Sequence, residues 1–196
     1  MKATILLSSL LIGGSLLFHT NHAERTNTTT TGFAAPKSSR AKRLSYATPR
    51  QPVSIVVSKS KYELYVYDAE GWFATYPVVF GNSSLEDKKM EGDRNTPEGT
   101  FRIVNKRVHD KWDRYMGLDY PTTESIARFN ERKRRGEVPA NASPGGGIGI
   151  HGTFPHEDFV IDRYKNWTNG CISLKNEDIE DLYSYVPLGT PITIKK

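Results

Sequence analysis

From about residue 54 onward, apolar and polar positions alternate in short runs: SIVVS (54–58), YELYVYD (62–68), FATYPVVF (73–80), GTFRIVNKRV (99–108), GIGIHG (147–152), CISL (171–174) and PITIKK (191–196). A period of two, carried by β-branched and aromatic side chains, marks strands with one buried face. Asp68 to Gly71 (DAEG) separates two of these runs and predicts a hairpin turn. The pattern predicts a mainly β domain, with a mixed sheet or sandwich and two or three short helices.

Two stretches change to a helical period. In TTESIARFNERKRRG, Thr122 or Thr123 is a candidate N-cap, Ile126 and Phe129 share a face, basic residues fill the last turn and Gly136 marks the stop. In NEDIEDLYSYV, Asn176 is the expected cap, Glu177 and Asp178 suit the positive helix start, and Ile179, Leu182, Tyr183 and Val186 form an apolar stripe suited to a core.

The first 50 residues read differently. Lys2 precedes an apolar segment from Ala3 to Phe18, and short polar residues then lead to Ala23, so 1–23 is read as a secretory signal peptide rather than a retained anchor. Residues 24–50 are rich in Thr, Ser, Ala and Pro and hold six basic residues against one acid, which reads as a disordered basic linker. With Lys2 and those six set aside, 20 basic and 21 acidic residues remain in 51–196. The chain's positive balance therefore lies outside the expected domain and argues for no nucleic-acid groove. It leaves the tail able to touch an anionic wall or membrane surface, or to act as a solvated spacer. Residues 51–196 suffice for one domain with its own core.

Cys171 is the only cysteine of the 196-residue chain. It has no internal partner for a disulfide, so in an exported protein it is either an inert packed thiol or a reactive one. Gly170 before it allows a tight turn and close approach of a ligand. His151 ends the run GIGIH twenty residues earlier, and His109 and His156 are also available. An imidazole beside a thiol lowers the thiol's pKa and later returns a proton to a leaving amine. Such a pair is expected to hold more thiolate at neutral pH than a free cysteine does.

His151-Gly152, then Thr168-Asn169-Gly170-Cys171, resembles the signature of the L,D-transpeptidase (YkuD-like) catalytic domain: a histidine, a spacer, then Ser/Thr-x-Gly-Cys. GDRNTPEGTFRI (92–103) is similar to that family's Thr-Pro-x-Gly-x-[Phe/Tyr] segment, and VPLGTPITI resembles its closing strand. GLDYP (117–121), GGGIGIHG and NWTNGCISL look closest to the YafK-like murein branch. Many members carry His two residues before the cysteine and Arg two after it, where this chain has Asn169 and Ser173, so recognition of a substrate carboxylate would have to come from elsewhere.

The resemblance implies acyl transfer on peptidoglycan stem peptides through a thioester on Cys171, with His151 as general base and then acid. An amine-bearing acceptor stem or protein resolves the thioester, and no cofactor or metal is needed. It implies that Gly152 orients the imidazole through its carbonyl and that Thr168 holds the cysteine turn. The amide of Cys171, with that of Gly170 or Asn169, would face an oxyanion. Trp167 and Tyr120, with Ser173, are the candidate substrate-facing side chains, and Trp112 is a further aromatic suited to either a groove or the core. The signal-peptide reading of 1–23 implies export, to the periplasm or cell wall. Three other readings stay open: a hydrolase of the same fold, a zinc site built from His151, His156 and Cys171, and a wall-binding module in which Cys171 only packs.

Overall fold

Every second side chain of Ser54–Ser58 and Glu63–Asp68 is buried, as the alternation predicts. The computed structural model describes residues 41–43 and 48–196. The segment read as a signal peptide, and most of the linker, lie outside the described residues.

The strands in chain order are β1 (Lys42–Arg43), β2 (Ser54–Ser58), β3 (Glu63–Asp68), β4 (Gly71–Pro77), β5 (Gly99–His109), β6 (Asp113–Leu118), β7 (Gly149–His151), β8 (Ile172–Ser173) and β9 (Pro191–Lys195). The helices are α1 (Thr123–Arg134), α2 (Phe159–Asp162) and α3 (Asn176–Tyr185). One mixed sheet orders the strands β1-β4-β3-β2-β9-β5-β6-β7-β8. Only β2 with β9 and β7 with β8 run parallel; the other neighbours are antiparallel. The chain after β4 returns to the far edge of the sheet. Val79 and Ser173 exchange backbone hydrogen bonds of 3.0 and 2.9 Å, so the β8 edge is covered rather than left as an open template.

The core is built from the inward faces of β2, β3, β5 and β9, with Ile55, Val57, Leu64, Val66, Phe101, Ile103, Ile192 and Ile194 at most 1% exposed. α3 packs against β6 and adds Ile179, Leu182 and Val186, all fully buried. At about 1.5–3 kcal/mol per buried aliphatic side chain, this stripe is what holds α3 to the sheet. Thr122 caps α1 through Ser125 N, as expected, while Ile126 is exposed and only Phe129 of the expected face is buried.

Three features depart from the sequence expectation, and the third short helix of the expected two or three is now placed. Lys42–Arg43, within the stretch read as disordered linker, form a two-residue edge strand on β4. The cap of α3 is Lys175, not Asn176; the Asn176 side chain instead accepts from Thr153 N at 3.0 Å. α2 is a single short turn of helix with too few residues to show a period. β6 escaped the pattern because Tyr115, Met116, Gly117 and Leu118 are all buried in succession, a strand covered on both faces and therefore without alternation.

Candidate active site

β7 and β8 are adjacent and parallel, with Ile150 opposite Ile172 and His151 opposite Ser173. Carrying the two-residue alternation back from Ser173 places Cys171 on the face that His151 occupies. Both line one cavity of about 590 Å³, together with Arg107, Trp112, Tyr115, Phe154, Trp167 and Asn169.

The turn before β8 sets the sulfur. Thr168, buried, accepts from Gly170 N at 3.2 Å and donates its hydroxyl to Cys171 O at 2.7 Å, tying both ends of the turn through one side chain. Gly170 has φ of +120°, and a Cβ there would lie 2.8 Å from Asn95 O, so glycine is required on both counts. The Thr-Pro-x-Gly segment packs beneath this turn: Arg94 donates to Thr168 O at 3.2 Å and to Trp167 O at 3.3 Å. Fully buried Lys59 holds that segment in place through Thr96 O and an ion pair of 2.7 Å with Glu98, and ties it to the preceding loop through Glu86 O.

His151 is 2% exposed, and its Nδ1 lies 2.7 Å from Gly152 O. A carbonyl only accepts, so Nδ1 carries the proton and the neutral ring presents Nε2 as a bare acceptor. Ser173 Oγ donates to the same carbonyl at 3.3 Å. Trp112 stacks on the ring with centroids 4.5 Å apart, Trp167 meets it edge-on at 5.5 Å, and His109 stacks on the other face of Trp112 at 4.4 Å. Gly152 makes this enclosure possible: its amide donates to Trp112 O at 3.0 Å, and a Cβ at residue 152 would sit 2.8 Å from that oxygen.

These surroundings disfavour the charged form of both the imidazole and the thiol. Burial pushes the His151 pKa down from 6.5 to about 4; the Gly152 carbonyl opposes this and the nearby His109 charge adds to it. Burial likewise pushes the Cys171 thiol up, against smaller pulls from the Gly149 amide and the Lys88 charge. The half-buried thiol is 3.5 Å from Gly147 O, which also accepts the Tyr115 hydroxyl at 3.1 Å. Both shifts run against the expected excess of thiolate, because a desolvated cleft penalises both ions.

Of the residues singled out in the sequence, Cys171, His151, Thr168, Asn169 and Trp167 meet at the cavity. Gly152 and Gly170 stand directly behind it, and the Gly170 amide is already engaged by Thr168. Two expectations need correction. Ser173 is fully buried beneath the Gly152 carbonyl, and Tyr120 is buried with its hydroxyl on Pro144 O at 3.0 Å; neither lines the cavity. His156 is exposed and lies off the cavity wall, and among the described residues no three His, Cys, Asp or Glu side chains converge as a metal site would require. Tyr115, Phe154 and Arg107 were missed. The first and last sit on the β5–β6 pair, where only recognition of β6 would have revealed them.

Residues 52–194 match the family model of the L,D-transpeptidase catalytic domain (YkuD), and the chain belongs to that family. A curated relative is the probable L,D-transpeptidase YcfS of Escherichia coli (strain K12), 28% identical over an alignment of 161 positions that covers 74% of this chain and 44% of that protein. Among solved structures, the helical cell shape determining protein Pgp2 from Campylobacter jejuni matches with a TM-score of 0.52 and 22% identity, over 74% of this chain and 47% of that one. Bd1075 of Bdellovibrio bacteriovorus matches with a TM-score of 0.51 and 20% identity, over 80% and 54%. The chain thus spans about half the length of these relatives, and the structural matches establish the shared fold.

Proposed function

We propose that this protein is a cysteine-dependent L,D-transpeptidase acting on peptidoglycan stem peptides. The observation that carries the reading is a thiol and an imidazole lining one cavity, the imidazole held in the tautomer that leaves Nε2 free to take a proton. As the Cys171 sulfur adds to the peptide carbonyl, the thiol proton passes to Nε2. The resulting imidazolium is supported by the Gly152 carbonyl and then protonates the leaving amine. A thioester remains on Cys171. An acceptor amine, deprotonated by His151, attacks it, releasing the new amide and restoring the thiol. Because Gly170 N is committed to Thr168, oxyanion stabilisation falls to the amides of Cys171 and Asn169.

Charge separation then arises only along the reaction coordinate, when substrate has replaced water in an aromatic-walled cleft. Export to the periplasm or cell wall follows from the reading of residues 1–23, and family membership of 52–194 supports the placement of the catalytic domain. The test is incubation of the purified protein with disaccharide tetrapeptide. Cross-linked dimers, with a thioester adduct on Cys171 by mass spectrometry, are the expected products. Tripeptide monomers alone would assign a hydrolase instead, and no adduct with unchanged muropeptide would remove the enzymatic reading.

A further inference from the structure

Among the residues lining the catalytic cavity, Arg107 is the one side chain with a fixed charge; the rest of the wall is aromatic, aliphatic, glycine or neutral polar. Its position is set by register. Arg107 on β5 pairs with Tyr115 on β6, Tyr115 pairs with His151 on β7, and His151 pairs with Ser173 on β8. Directly paired residues share a face, so one row crossing four strands carries the guanidinium to the same side as the imidazole.

The guanidinium is held rather than loose. It lies 4.9 Å from the centroid of the Tyr115 ring, whose own hydroxyl is fixed on Gly147 O, the carbonyl that also receives the thiol. Arg114, on the neighbouring strand, is neutralised by Asp113 at 2.7 Å. Arg107 is exposed and, among the described residues, has no carboxylate partner. An unneutralised guanidinium, stacked and facing an apolar cleft, is built to take an anion, and its planar fork matches a carboxylate.

We propose that Arg107 is the residue by which this site recognises a free carboxylate of its peptide substrate. The proposal rests on the reading of the cavity as the place where a peptide carbonyl meets Cys171. Ser173 stands at the opposite end of the same row, buried and uncharged, so the carboxylate is gripped from the β5 side of His151. Arg107 touches no reacting atom in this scheme; it selects and positions.

Binding is measured with the Cys171→Ala variant, which forms no thioester, by the fluorescence of Trp112 and Trp167 in the cavity wall. The probes are disaccharide tetrapeptide, the same peptide with a terminal carboxamide, and the same peptide with its side-chain carboxyl amidated. One amidation is expected to weaken binding about tenfold, the scale of about 1.4 kcal/mol, and the preference should shrink with added salt because the residue is exposed. Adding Arg107→Gln should bring the acid to the affinity of that amide while leaving the amide unchanged, and Arg107→Glu should reverse the preference, with unfolding temperatures unaltered.

Which amidation matters identifies the carboxylate. If neither weakens binding, or if the preference persists in Arg107→Gln, the proposal is overturned. If the preference holds and Arg107 controls it while the wild-type protein forms no thioester, the recognition residue stands and the transpeptidase reading fails separately.

Discussion

Replacing His151 by Gln is expected to make the protein relatively more stable in acid, in a pH window that the burial of this ring defines. The ring is enclosed by Trp112 and Trp167 and its folded pKa lies near 4, against an ordinary value of 6.5. Because the unfolded chain binds this proton more readily, stability from the neutral ring is fully present above pH 6.5 and is lost as pH falls through the folded value. The gap between 6.5 and about 4, at about 1.4 kcal/mol per unit, amounts to roughly 3 kcal/mol. Gln offers an N–H for the Gly152 carbonyl but no titration. Urea unfolding of both proteins from pH 8 to pH 4 should therefore show their stability difference moving by roughly 3 kcal/mol in the variant's favour, with the change spread between those pKa values. Other titrating groups cancel in the difference. A difference that stays flat would mean that the ring is not shielded. A change of opposite sign would mean that it is stored as an imidazolium beside a thiolate, and the neutral-pair mechanism would be withdrawn.

Other expectations concern the thiol, its turn and the base of α3. Since burial raises the Cys171 pKa, alkylation of the free protein by iodoacetamide should climb with pH beyond the range of an ordinary cysteine; a plateau reached below pH 7 would reveal a stored thiolate. Thr168→Val should cost about 1–3 kcal/mol and slow thioester formation, because a buried amide and a carbonyl lose their partner, and Thr168→Ser should restore both; equal unfolding midpoints in urea would contradict the role of this hydroxyl. Buried Asp178, with Oδ2 lacking a hydrogen-bond partner among the described residues, has its pKa pushed up to about 7 from 3.8, so its ionisation erodes stability as pH rises through that range. Asp178→Asn should then gain up to about 4 kcal/mol at pH 8 and within about 1 kcal/mol at pH 4, and an equal gain at both would refute the assignment.

The strands most legible in the sequence were those with one wet face. SIVVS and ELYVYD alternate because each lies with one side on the core, and the turn at Asp68 to Gly71 falls where the two-residue period breaks. The placing of a thiol and an imidazole at one cavity was legible for a different reason. Gly170 and Gly152 have to be small where other backbone closes in, and the thiol and imidazole stand beside them in the chain. Electrostatics was not legible. Whether a Cys and a His near each other become an ion pair or stay neutral depends on how much water and which rings surround them, and the ring that decides it, Trp112, arrives from the turn between β5 and β6.

That turn and β6 account for most of what the pattern could not place. Because β6 is buried on both faces, nothing in DRYMGL announces a strand, and without it His109, Trp112 and Tyr115 have no address relative to His151. Once β6 is set between β5 and β7, these three and Arg107 find their places: Tyr115 falls opposite His151, Arg107 opposite Tyr115, and the turn folds Trp112 over the imidazole, with His109 stacked behind it. A one-residue slip of β6 would turn Tyr115 to the other face and separate Arg107 from the cavity. The bulge between Ile103 and Asn105 absorbs a residue of β5 before the row begins, and the crowding of Asn105 against Gly117, where a Cβ would come within 2.5 Å of the amide, resists such a slip. The placing of His151 opposite Tyr115 thus depends on the β5–β6 pairing at Asn105 and Gly117, residues that lie outside the cavity.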